Sequence, residues 1–432
     1  MAGKHILLMA YQLSPHRGSE YSVSWNYLVE MSKDNRITVL YGVTGGHLGC
    51  IEPVKDFQVA LNSANVEFIP VHPNALARAL NTLNRKGVLR FTFYLAYNIW
   101  QRQAYLEAKK LVRSRKFDII HFLGPIGYRE PGYLWKLPLP YVWGPISGMA
   151  NPPSLLLRRL PAAGRMDLQF RKAVNRIQLR TSLRLRKAMK RADAVLAATQ
   201  ENQRIIEKIF GIKAGYLPEN GVASPIAACL PPGRFPFSTM NLLWVGSLDA
   251  RKNLGLLLDA LAEVKSFEKM RLHVAGDGWM RQRLEAQAGS LGISSHIEWH
   301  GLLPRAEVLR LYEQAHISII TSCKEGNPTI IWEAMASGVP TITLDHCGMH
   351  DTICGKCGVR IPIKSYEQIV SDLSDSIESL FSDPRRLRSL SEGALSCASR
   401  YAYANRHAFF NHLYDKAIEH YGRIHDVQFR RQ

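Results

Sequence analysis

Short apolar segments alternate with longer amphipathic segments along almost the whole chain, and this alternation limits the fold more than any other feature. Many apolar runs are uninterrupted, as expected for parallel strands that are covered on both faces. Such alternation predicts α/β domains with doubly wound, mostly parallel sheets. The predicted strands cover 4–10, 36–41, 66–71, 117–122, 141–143, 193–197, 241–246, 271–276, 296–300, 316–321, 339–344 and 358–362.

Helical periodicity fills the intervals between the strands of the second half. The apolar spacing i, i+3, i+4, i+7 begins at Leu254 and marks the first of these helices. The same periodicity predicts helices over about 254–261, 279–291, 305–314, 329–337, 366–381 and 384–400.

A length of 432 residues favours two domains. The stretch Pro218–Arg234 is rich in Pro, Gly, Ala and Ser and breaks the periodicity, so we place the boundary there. We predict an N-terminal domain over 1–217, a C-terminal domain over 218–403 and a helical segment over 404–432. That last segment could pack back on the first domain.

The chain is strongly basic, with 55 Lys and Arg against 36 Asp and Glu and a formal net charge of +19. This balance suggests an anionic partner, such as nucleic acid, an anionic membrane surface or a phosphorylated ligand. Nucleic acid is disfavoured because no recognised binding module is present. No apolar stretch reaches the roughly 18–20 residues of a membrane-spanning helix, and the apolar N-terminus is interpreted as a strand. We expect a cytoplasmic protein.

Seven cysteines in a chain of this length do not form the pattern of a disulfide framework. Cys347, Cys354 and Cys357, with His346 and His350 nearby, have the side chains of zinc ligands. The sequence has one close cysteine pair and lacks the second close pair that such zinc motifs contain. We therefore interpret this segment as a loop with reduced cysteines. Whether the three cysteines bind a metal is left open.

The strongest chemical signal is the segment Glu-Gly-Asn-Pro-Thr-Ile-Ile-Trp-Glu, which follows a predicted strand. Pro328 and Thr329 suit a helix start, which places Glu325 in a strand-end loop and Glu333 in the first turns of the helix. Backbone amides from Asn327 onward, apart from that of Pro328, would form an anion site suited to a pyrophosphate or to sugar hydroxyls. The alternative is that both glutamates are surface charges favoured by the helix dipole.

Two further segments join a strand to a helix. Gly-Ser-Leu-Asp-Ala-Arg-Lys-Asn at 246–253 includes Arg251 and Lys252, and two cations at such a place suit a diphosphate. The alternative is a solvated loop. Gly-Asp-Gly at 276–278 is a weak signal that lacks the dinucleotide-binding fingerprint Gly-x-Gly-x-x-Gly.

Together with Trp-His-Gly-Leu-Leu-Pro-Arg from residue 299, these segments make 246–358 closely resemble the nucleotide-binding domain of glycosyltransferase family 4. Glu333 follows Glu325 with the family's Glu-x7-Glu spacing. The resemblance implies a GT-B fold of two Rossmann-like domains that face each other across a cleft. It implies that the N-terminal domain (1–217) is acceptor-binding and that the C-terminal domain (218–403) is nucleotide-sugar-binding. It also implies transfer from a nucleotide-diphosphate sugar with retention of anomeric configuration. The segment Tyr-Val-Trp-Gly-Pro-Ile-Ser-Gly at 141–148 looks like a subgroup associated with exopolysaccharide synthesis.

The resemblance also implies roles for individual residues. Glu325 would contact the donor sugar, Glu333 the ribose hydroxyls, and Arg251 with Lys252 the diphosphate. Ser247 is a departure, because members often carry Arg there, so one phosphate contact is lost or supplied by another residue. The remaining donor-binding positions that the resemblance implies are Gly246, Gly276, Gly301, Leu302, Leu303, Asn327, Pro328 and Thr329.

The first half matches the family more loosely. The segment Arg-Gly-Ser-Glu at 17–20 resembles the family's glycine loop, whose amides, at Gly18 and Ser19, would face the donor phosphates. His121 ends a predicted strand and resembles the family's histidine close to the donor sugar, so it is predicted to be catalytic. The alternative is a structural histidine.

Breaking a sugar–phosphate bond leaves negative charge on the departing nucleotide diphosphate, which the enzyme must stabilise. Arg251, Lys252 and helix-start amides can supply that stabilisation, and the sequence has no Asp-x-Asp motif. We therefore expect no metal dependence and no cofactor. No residue is a convincing covalent nucleophile, and the resemblance implies attack on the same face as the leaving group.

Two basic stretches predict contact with a membrane. Residues 151–191 contain 12 Lys and Arg and one acidic residue, Asp167. In the second stretch, Arg85–Lys116, three aromatic residues (Phe93, Tyr97 and Trp100) recur at i, i+4, i+7 and would line one helix face. This composition suits an interfacial helix on anionic lipid, with a lipid-linked saccharide as acceptor. The alternative is a core helix with a solvated basic surface.

Three other functions stay open at this point. The chain could be another GT-B enzyme, such as a glycogen- or sucrose-type synthase or a sugar-nucleotide epimerase, although its glycine loop lacks the Lys-x-Gly-Gly of glycogen synthases. It could also be a catalytically silent scaffold of a polysaccharide assembly complex. The intact glutamate pair and the two cations argue against an inactive scaffold. Ser247, which stands where the family often has Arg, is compatible with one.

Overall fold

The structure is a computed structural model and describes residues 3–16, 18, 20–43, 54–86, 92–124, 127–223, 226–231 and 233–429. The strands, numbered in chain order, are β1 (His5–Ala10), β2 (Arg36–Gly42), β3 (Val66–Val71), β4 (Ile119–Gly124), β5 (Tyr141–Ile146), β6 (Ala194–Ala197), β7 (Gly215–Tyr216), β8 (Met240–Val245), β9 (Met270–Ala275), β10 (Ile297–Gly301), β11 (Ile317–Ile320), β12 (Thr341–Leu344) and β13 (Gly358–Ile361). Each of the predicted strand segments overlaps one of these strands, and β7 was not predicted.

The α-helices lie between the strands. They are α1 (Glu20–Met31), α2 (Val54–Leu61), α3 (Ala75–Arg85), α4 (Thr92–Ser114), α5 (Ser154–Leu157), α6 (Ala162–Thr181), α7 (Leu183–Arg191), α8 (Gln200–Phe210), α9 (Leu254–Leu261), α10 (Arg281–Ser290), α11 (Arg305–Gln314), α12 (Thr329–Ala336), α13 (Cys347–Thr352), α14 (Tyr366–Ser382), α15 (Pro384–Arg400) and α16 (Arg406–Phe429).

The chain divides into two compact units. The first contains residues 1–149, 178–220 and 403–432, and the second contains 150–177 and 221–402. The chain passes from the first unit to the main part of the second between residues 220 and 221. This point lies within the Pro- and Gly-rich stretch in which the sequence predicts a boundary.

The first unit is built on a parallel sheet with the strand order β3-β2-β1-β4-β5-β6-β7. The C-terminal helix α16 packs on this unit, where Phe410, Tyr414 and Ala417 join the core beneath β1 and β2. Its polar contacts are also long-range, because Asn411 accepts a hydrogen bond from Asn35 and Asp415 pairs with Lys4.

The aromatic stripe of α4 belongs to the core of the first unit and not to an interfacial surface. Tyr97 and Trp100 are buried, and the indole N–H of Trp100 donates to the carbonyl oxygen of Val71 at 2.8 Å. Phe93 is half-buried and stacks on Tyr97. The sequence-based membrane interpretation is therefore wrong for this stripe, because the same helical spacing serves equally well to cover a sheet.

The second unit is built on a parallel sheet with the order β10-β9-β8-β11-β12-β13. The order reverses between β8 and β11, the type of position at which open α/β sheets bind ligands beyond the carboxyl ends of their strands.

Residues 150–177 were expected in the first domain, but they pack in the second unit. Leu156, Leu157, Leu160 and Leu168 join its main hydrophobic core. The start of α6 also touches the loop after β8, since a Cβ added at Gly164 would lie 2.3 Å from the Cβ of Ala250. The sequence analysis considered the basic composition of this segment and not its leucines, which determine where it packs.

Three strand-end loops of the second unit approach one another through their backbones. Gly276 has a φ of +141°, and its amide donates to the carbonyl oxygen of Gly301 at 2.7 Å. A Cβ at residue 276 would lie 1.8 Å from the carbonyl oxygen of Gly246. Glycine at 276 is therefore required twice, once by its dihedral angle and once by the space available.

We expect Gly276→Ala to lower the free energy of unfolding of the second unit much more than Gly292→Ala does. Gly292 also has a positive φ, +72°, but an added Cβ there has nothing described within 4 Å. Both variants incur backbone strain of about 1–3 kcal/mol, and Gly276→Ala adds overpacking of roughly another 1–3 kcal/mol. Calorimetric unfolding of the two variants tests this expectation, and equal destabilisation would contradict it.

Candidate functional site

The candidate site of the second unit forms where the loops after β8 and β11 leave neighbouring strands. The two loops are joined by backbone contacts, because the amide of Cys323 donates to the carbonyl oxygen of Arg251 at 2.7 Å. The hydroxyl of Thr321 donates to the carbonyl oxygen of Lys252 at 3.2 Å. These bonds fix the two cations of one loop beside the acid of the other.

Glu325 lies between both cations. One carboxylate oxygen, Oε1, accepts from Arg251 Nη1 at 2.7 Å and lies 2.7 Å from Lys252 Nζ. The Glu325 and Lys252 side chains are largely buried, while that of Arg251 is about one-third exposed. Arg251 can therefore turn toward a ligand without leaving the loop.

The charge state of Glu325 follows from these neighbours. Burial acts to raise its pKa, but Lys252 and Arg251 together outweigh burial and hold the pKa below its usual value. The site therefore presents an ionised carboxylate and two cations.

The loop conformation after β8 depends on Asp249. Its carboxylate accepts from the amide of Lys252 at 2.9 Å and from the hydroxyl of Ser247 at 2.7 Å. Ser247, at the position where the family often has Arg, is thus exposed and bonded to Asp249. Asn253 ends the loop in the left-handed region, with a φ of +52°, and directs the chain into α9.

The helix α12 begins where the sequence predicts it, with Pro328 as the N-cap residue and Thr329 as the first helical residue. Asn327 is buried just before the helix. The start of α13 packs tightly against the same loop, since a Cβ at Gly348 would lie 1.7 Å from the carbonyl oxygen of Gly326.

Glu333 lies on the second turn of α12 and is mostly buried. Its carboxylate is 3.3 Å from the guanidinium of Arg305, at the start of α11. Burial raises the pKa of Glu333, and Arg305 offsets that effect in part. The two glutamates of the motif thus have opposite electrostatic environments.

Arg305 is a site residue that sequence reasoning missed. It closes the segment Trp-His-Gly-Leu-Leu-Pro-Arg, which carried part of the family resemblance, yet no role was assigned to it. The loop before it places Leu302 on the surface, 81% exposed, and leaves Leu303 half-buried. The signal available in the sequence was the position of Arg305 directly after Pro304, at the start of a predicted helix.

In the first unit, His121 does not lie at an accessible strand end. It is fully buried, with Nδ1 2.7 Å from the hydroxyl of Tyr414 and Nε2 2.7 Å from the carbonyl oxygen of Gly144. Burial lowers its pKa to about 4. Both ring nitrogens are thus engaged inside the unit and tie β4 to α16, while the catalytic role of His121 stays a prediction.

The glycine loop of the first unit is described in part. Gly18 has open space around its Cα, whereas Ser19 lies outside the described residues. Their roles at the donor phosphates stay predictions.

The structure divides the predicted cysteine and histidine group. The imidazole of His346 contacts Cys347 and the carbonyl oxygen of Ser322, and His350 pairs with Asp345. Cys354 and Cys357 lie apart from these groups and are joined by Cys397, which the sequence did not suggest.

Residues 239–396 match the family model described as "Glycosyl transferases group 1". The second unit therefore carries a group 1 glycosyltransferase domain, and the matched range includes both glutamates and both cations of the site.

Among curated relatives, the chain is similar to an α-1,4-N-acetyl-D-galactosaminyltransferase of Campylobacter jejuni, whose name specifies a diphospho-undecaprenol-linked saccharide. The two are 35% identical over 148 residues, which is 32% of this chain and 40% of the relative. The chain spans less than half the length of the first curated relatives it matches.

Solved structures show the same fold. The lipopolysaccharide outer core galactosyltransferase WaaB, in its apo form, has a TM-score of 0.62 at 17% identity, with 94% of this chain and 99% of WaaB covered. HepE of Anabaena in complex with UDP and glucose has a TM-score of 0.59 at 15% identity, with 95% and 99% covered. The fold is GT-B, with two parallel-sheet, Rossmann-like domains. Within the described residues, no helix is both long enough and apolar enough to cross a membrane.

We expect Glu325→Gln and Glu333→Gln to change stability in opposite directions at pH 7. Glu325→Gln removes the charge that Arg251 and Lys252 share, which should cost about 1–3 kcal/mol of unfolding free energy. Glu333→Gln removes a charge that burial disfavours, so stability should be unchanged or higher. Urea unfolding at pH 7 measures both effects.

The pH dependence gives an independent check on the same pair. The depressed pKa of Glu325 contributes stability that is present above its unfolded pKa and lost as pH falls through the folded one. The raised pKa of Glu333 contributes stability that is present at low pH and lost as pH rises. Two variants that destabilise equally at every pH would contradict the assignment.

Proposed function

We propose that this protein is a retaining glycosyltransferase that moves a sugar from a nucleotide-diphosphate donor to a saccharide acceptor. The observation that carries the proposal is the convergence of Arg251 and Lys252 on Glu325, at 2.7 Å each, where the strand order of the second sheet reverses. Such a position is suited to an anionic ligand whose other end carries hydroxyl groups.

Each end of the donor has candidate partners in the second unit. Arg251 and Lys252 would hold the diphosphate, and Glu325 would accept from hydroxyls of the donor sugar. Glu333, oriented by Arg305, would accept from the ribose hydroxyls. The nucleobase would lie near Gly301–Leu303, where an exposed leucine is available to cover it.

The leaving group would be stabilised by the protein's own cations. As the sugar–phosphate bond breaks, negative charge grows on the diphosphate, and a fixed Arg and Lys stabilise that charge most when water is excluded. Because Glu325 is paired with both cations, it is poorly suited to act as a covalent nucleophile. Same-face attack by the acceptor, with its proton passing to the leaving phosphate, accounts for retention. A trapped glycosyl-enzyme adduct would contradict this mechanism.

A catalytically silent scaffold is the main alternative. Ser247 supports it weakly, because the family's frequent Arg is missing there. The close contact of Arg251, Lys252 and Glu325 argues against it, since a silent protein has no need to keep a mostly buried charge cluster.

The donor can be identified by following nucleotide release from UDP-, GDP- and ADP-sugars in the presence of detergent. HepE, with UDP and glucose bound, makes UDP-glucose the first donor to try. We expect slow hydrolysis of one donor and its loss in Glu325→Ala. Arg251→Ala should lower kcat/KM by about 100-fold or more, because one lost charge-stabilising group typically costs 10²–10³.

A cation elsewhere on the same sheet is the matched control. Arg271 is the second residue of β9, at the end of the sheet opposite to the site, and it pairs with Glu298 on the surface. Arg271→Ala should stay within about twofold of the unchanged chain, as surface substitutions do. If calorimetry showed no nucleotide binding by the unchanged chain, the silent scaffold would replace the enzyme as the better proposal.

We further propose a lipid-linked acceptor and contact with an anionic membrane surface. The support is α6, on which Met166, Phe170 and Ile177 are all more than half exposed and recur on one face. The helix also carries exposed arginines (Arg165, Arg171, Arg176 and Arg180) and one acidic residue, Asp167. Exposed apolar side chains flanked by cations suit an anionic lipid interface. The named lipid-linked saccharide of the Campylobacter relative suggests the same class of acceptor.

Vesicle flotation tests the membrane proposal. The full chain should float with phosphatidylglycerol-containing vesicles and not with phosphatidylcholine vesicles. Replacing both Met166 and Phe170 by Ser should reduce the bound fraction several-fold, because the lost burial of each large side chain is worth about 1.5–3 kcal/mol at most. Val59→Ser, at an exposed apolar position of α2, is the control and should change nothing. Equal flotation with both kinds of vesicle would contradict the proposal.

A further inference from the structure

Three cysteine sulfurs of the second unit lie close together at a place that the proposed glycosyl transfer does not use. Cys354 and Cys357 occupy the loop between α13 and β13, and Cys397 lies in the last turn of α15. The Sγ of Cys354 is 3.7 Å from that of Cys357 and 3.8 Å from that of Cys397. All three sulfurs lie within 4.8 Å of one another.

The two distances from the sulfur of Cys354 match the edges of a metal–thiolate tetrahedron. A tetrahedral zinc ion with Zn–S bonds of about 2.3 Å requires its sulfur ligands to be about 3.8 Å apart. A disulfide would require about 2.05 Å, so the sulfurs are spaced for a shared ion and not for a bond. We propose that Cys354, Cys357 and Cys397 form a three-thiolate site for a soft divalent metal ion of the zinc class, with a fourth position open to water.

The backbone around the pair is arranged as a tight turn that directs both sulfurs to one side. The amides of Cys357 and Gly358 donate to the carbonyl oxygen of Cys354 at 3.0 and 3.1 Å. The amide of Cys354 in turn donates to the sulfur of Cys357 at 3.4 Å.

The third ligand reaches the pair because α15 packs directly on this turn. Gly393, one helical turn before Cys397, has its Cα against the backbone of Lys356, and an added Cβ would lie 1.8 Å from the Lys356 carbonyl oxygen. The glycine therefore permits an approach that any larger residue would prevent. Cys397 is consequently held toward Cys354 by the helix packing and not by its own flexibility.

The surrounding charges suit an anionic metal cluster. Three thiolates around one divalent ion carry a net charge of −1, and each ligating thiol releases its proton to solvent. The side chains of Arg400 and Lys356 bring two positive charges close to Cys397. The same two cations would offset the charge of the occupied site.

A metal ion here would join two segments that are about 40 residues apart in the chain. The loop before β13 and the end of α15 border the hydrophobic cluster that contains Trp332, and Trp332 packs on Tyr401 just beyond α15. Trp332 immediately precedes Glu333, so the metal would stiffen the support of α12. We expect a structural ion, because the proposed donor residues supply none of its ligands.

The test uses the full-length reduced chain, stripped of metal with a chelator and titrated with Zn²⁺ against a colorimetric competitor. One equivalent should bind, and Co²⁺ in its place should show thiolate-to-metal charge-transfer absorption. Cys397→Ser should weaken binding by more than about 10-fold, since even outer-shell partners are worth 10- to 100-fold. Cys229→Ser, at an exposed cysteine outside the cluster, should bind as the unchanged chain does.

Alkylation of the unchanged chain keeps the proposal testable if a variant misfolds. Zn²⁺ should protect three thiols, which peptide mass spectrometry should identify as Cys354, Cys357 and Cys397. Absence of charge-transfer absorption, or full binding by Cys397→Ser, would overturn the proposal. A Cys354–Cys357 disulfide that forms in the presence of Zn²⁺ would also overturn it and would indicate a redox pair.

Discussion

The pairing of β8 with β11 at the centre of the second sheet is the constraint on which the candidate site depends. Because the two strands are parallel neighbours, the loops that follow them leave the sheet at the same edge. The strand order also reverses between them, which is where open α/β sheets bind ligands. One loop carries two cations and the other a carboxylate, and two hydrogen bonds join the loops, one between backbone groups and one from the hydroxyl of Thr321. The Arg251–Lys252–Glu325 cluster is a consequence of that strand order.

The strand-end loops at Gly246, Gly276 and Gly301 also lie close together at this edge of the second sheet. A sheet whose strand-end loops touch through backbone atoms leaves little space for side chains, so the functional groups come from the loops after β8 and β11 and from α12. The two motif glutamates then differ in their surroundings. Lys252 and Arg251 stabilise the ionised form of Glu325, whereas burial disfavours the ionised form of Glu333. A ligand that donates hydroxyl hydrogen bonds to Glu333 would relieve that cost.

Several sequence predictions failed for one shared reason: a local pattern does not say what covers it. The stripe of Phe93, Tyr97 and Trp100 has the spacing of an interfacial face and also that of a core face, and packing on the first sheet makes it core. His121 was predicted at a strand end, but it lies inside β4, where α16, nearly 300 residues later, covers it with Tyr414. The segment 150–177 is basic, yet four of its leucines decide where it packs.

The sequence by itself determined the order of the strands, the helices of the second half, the positions of the strand-end motifs and the residue types available at the candidate site. These features are local, because periodicity and helix-start residues act over a few positions. Tertiary structure alone decided which loops meet, which basic segment exposes apolar side chains and which cysteines share a site. Cys397 joins Cys354 and Cys357 because Gly393 lets α15 approach their turn, a contact between segments about 40 residues apart that no local pattern encodes.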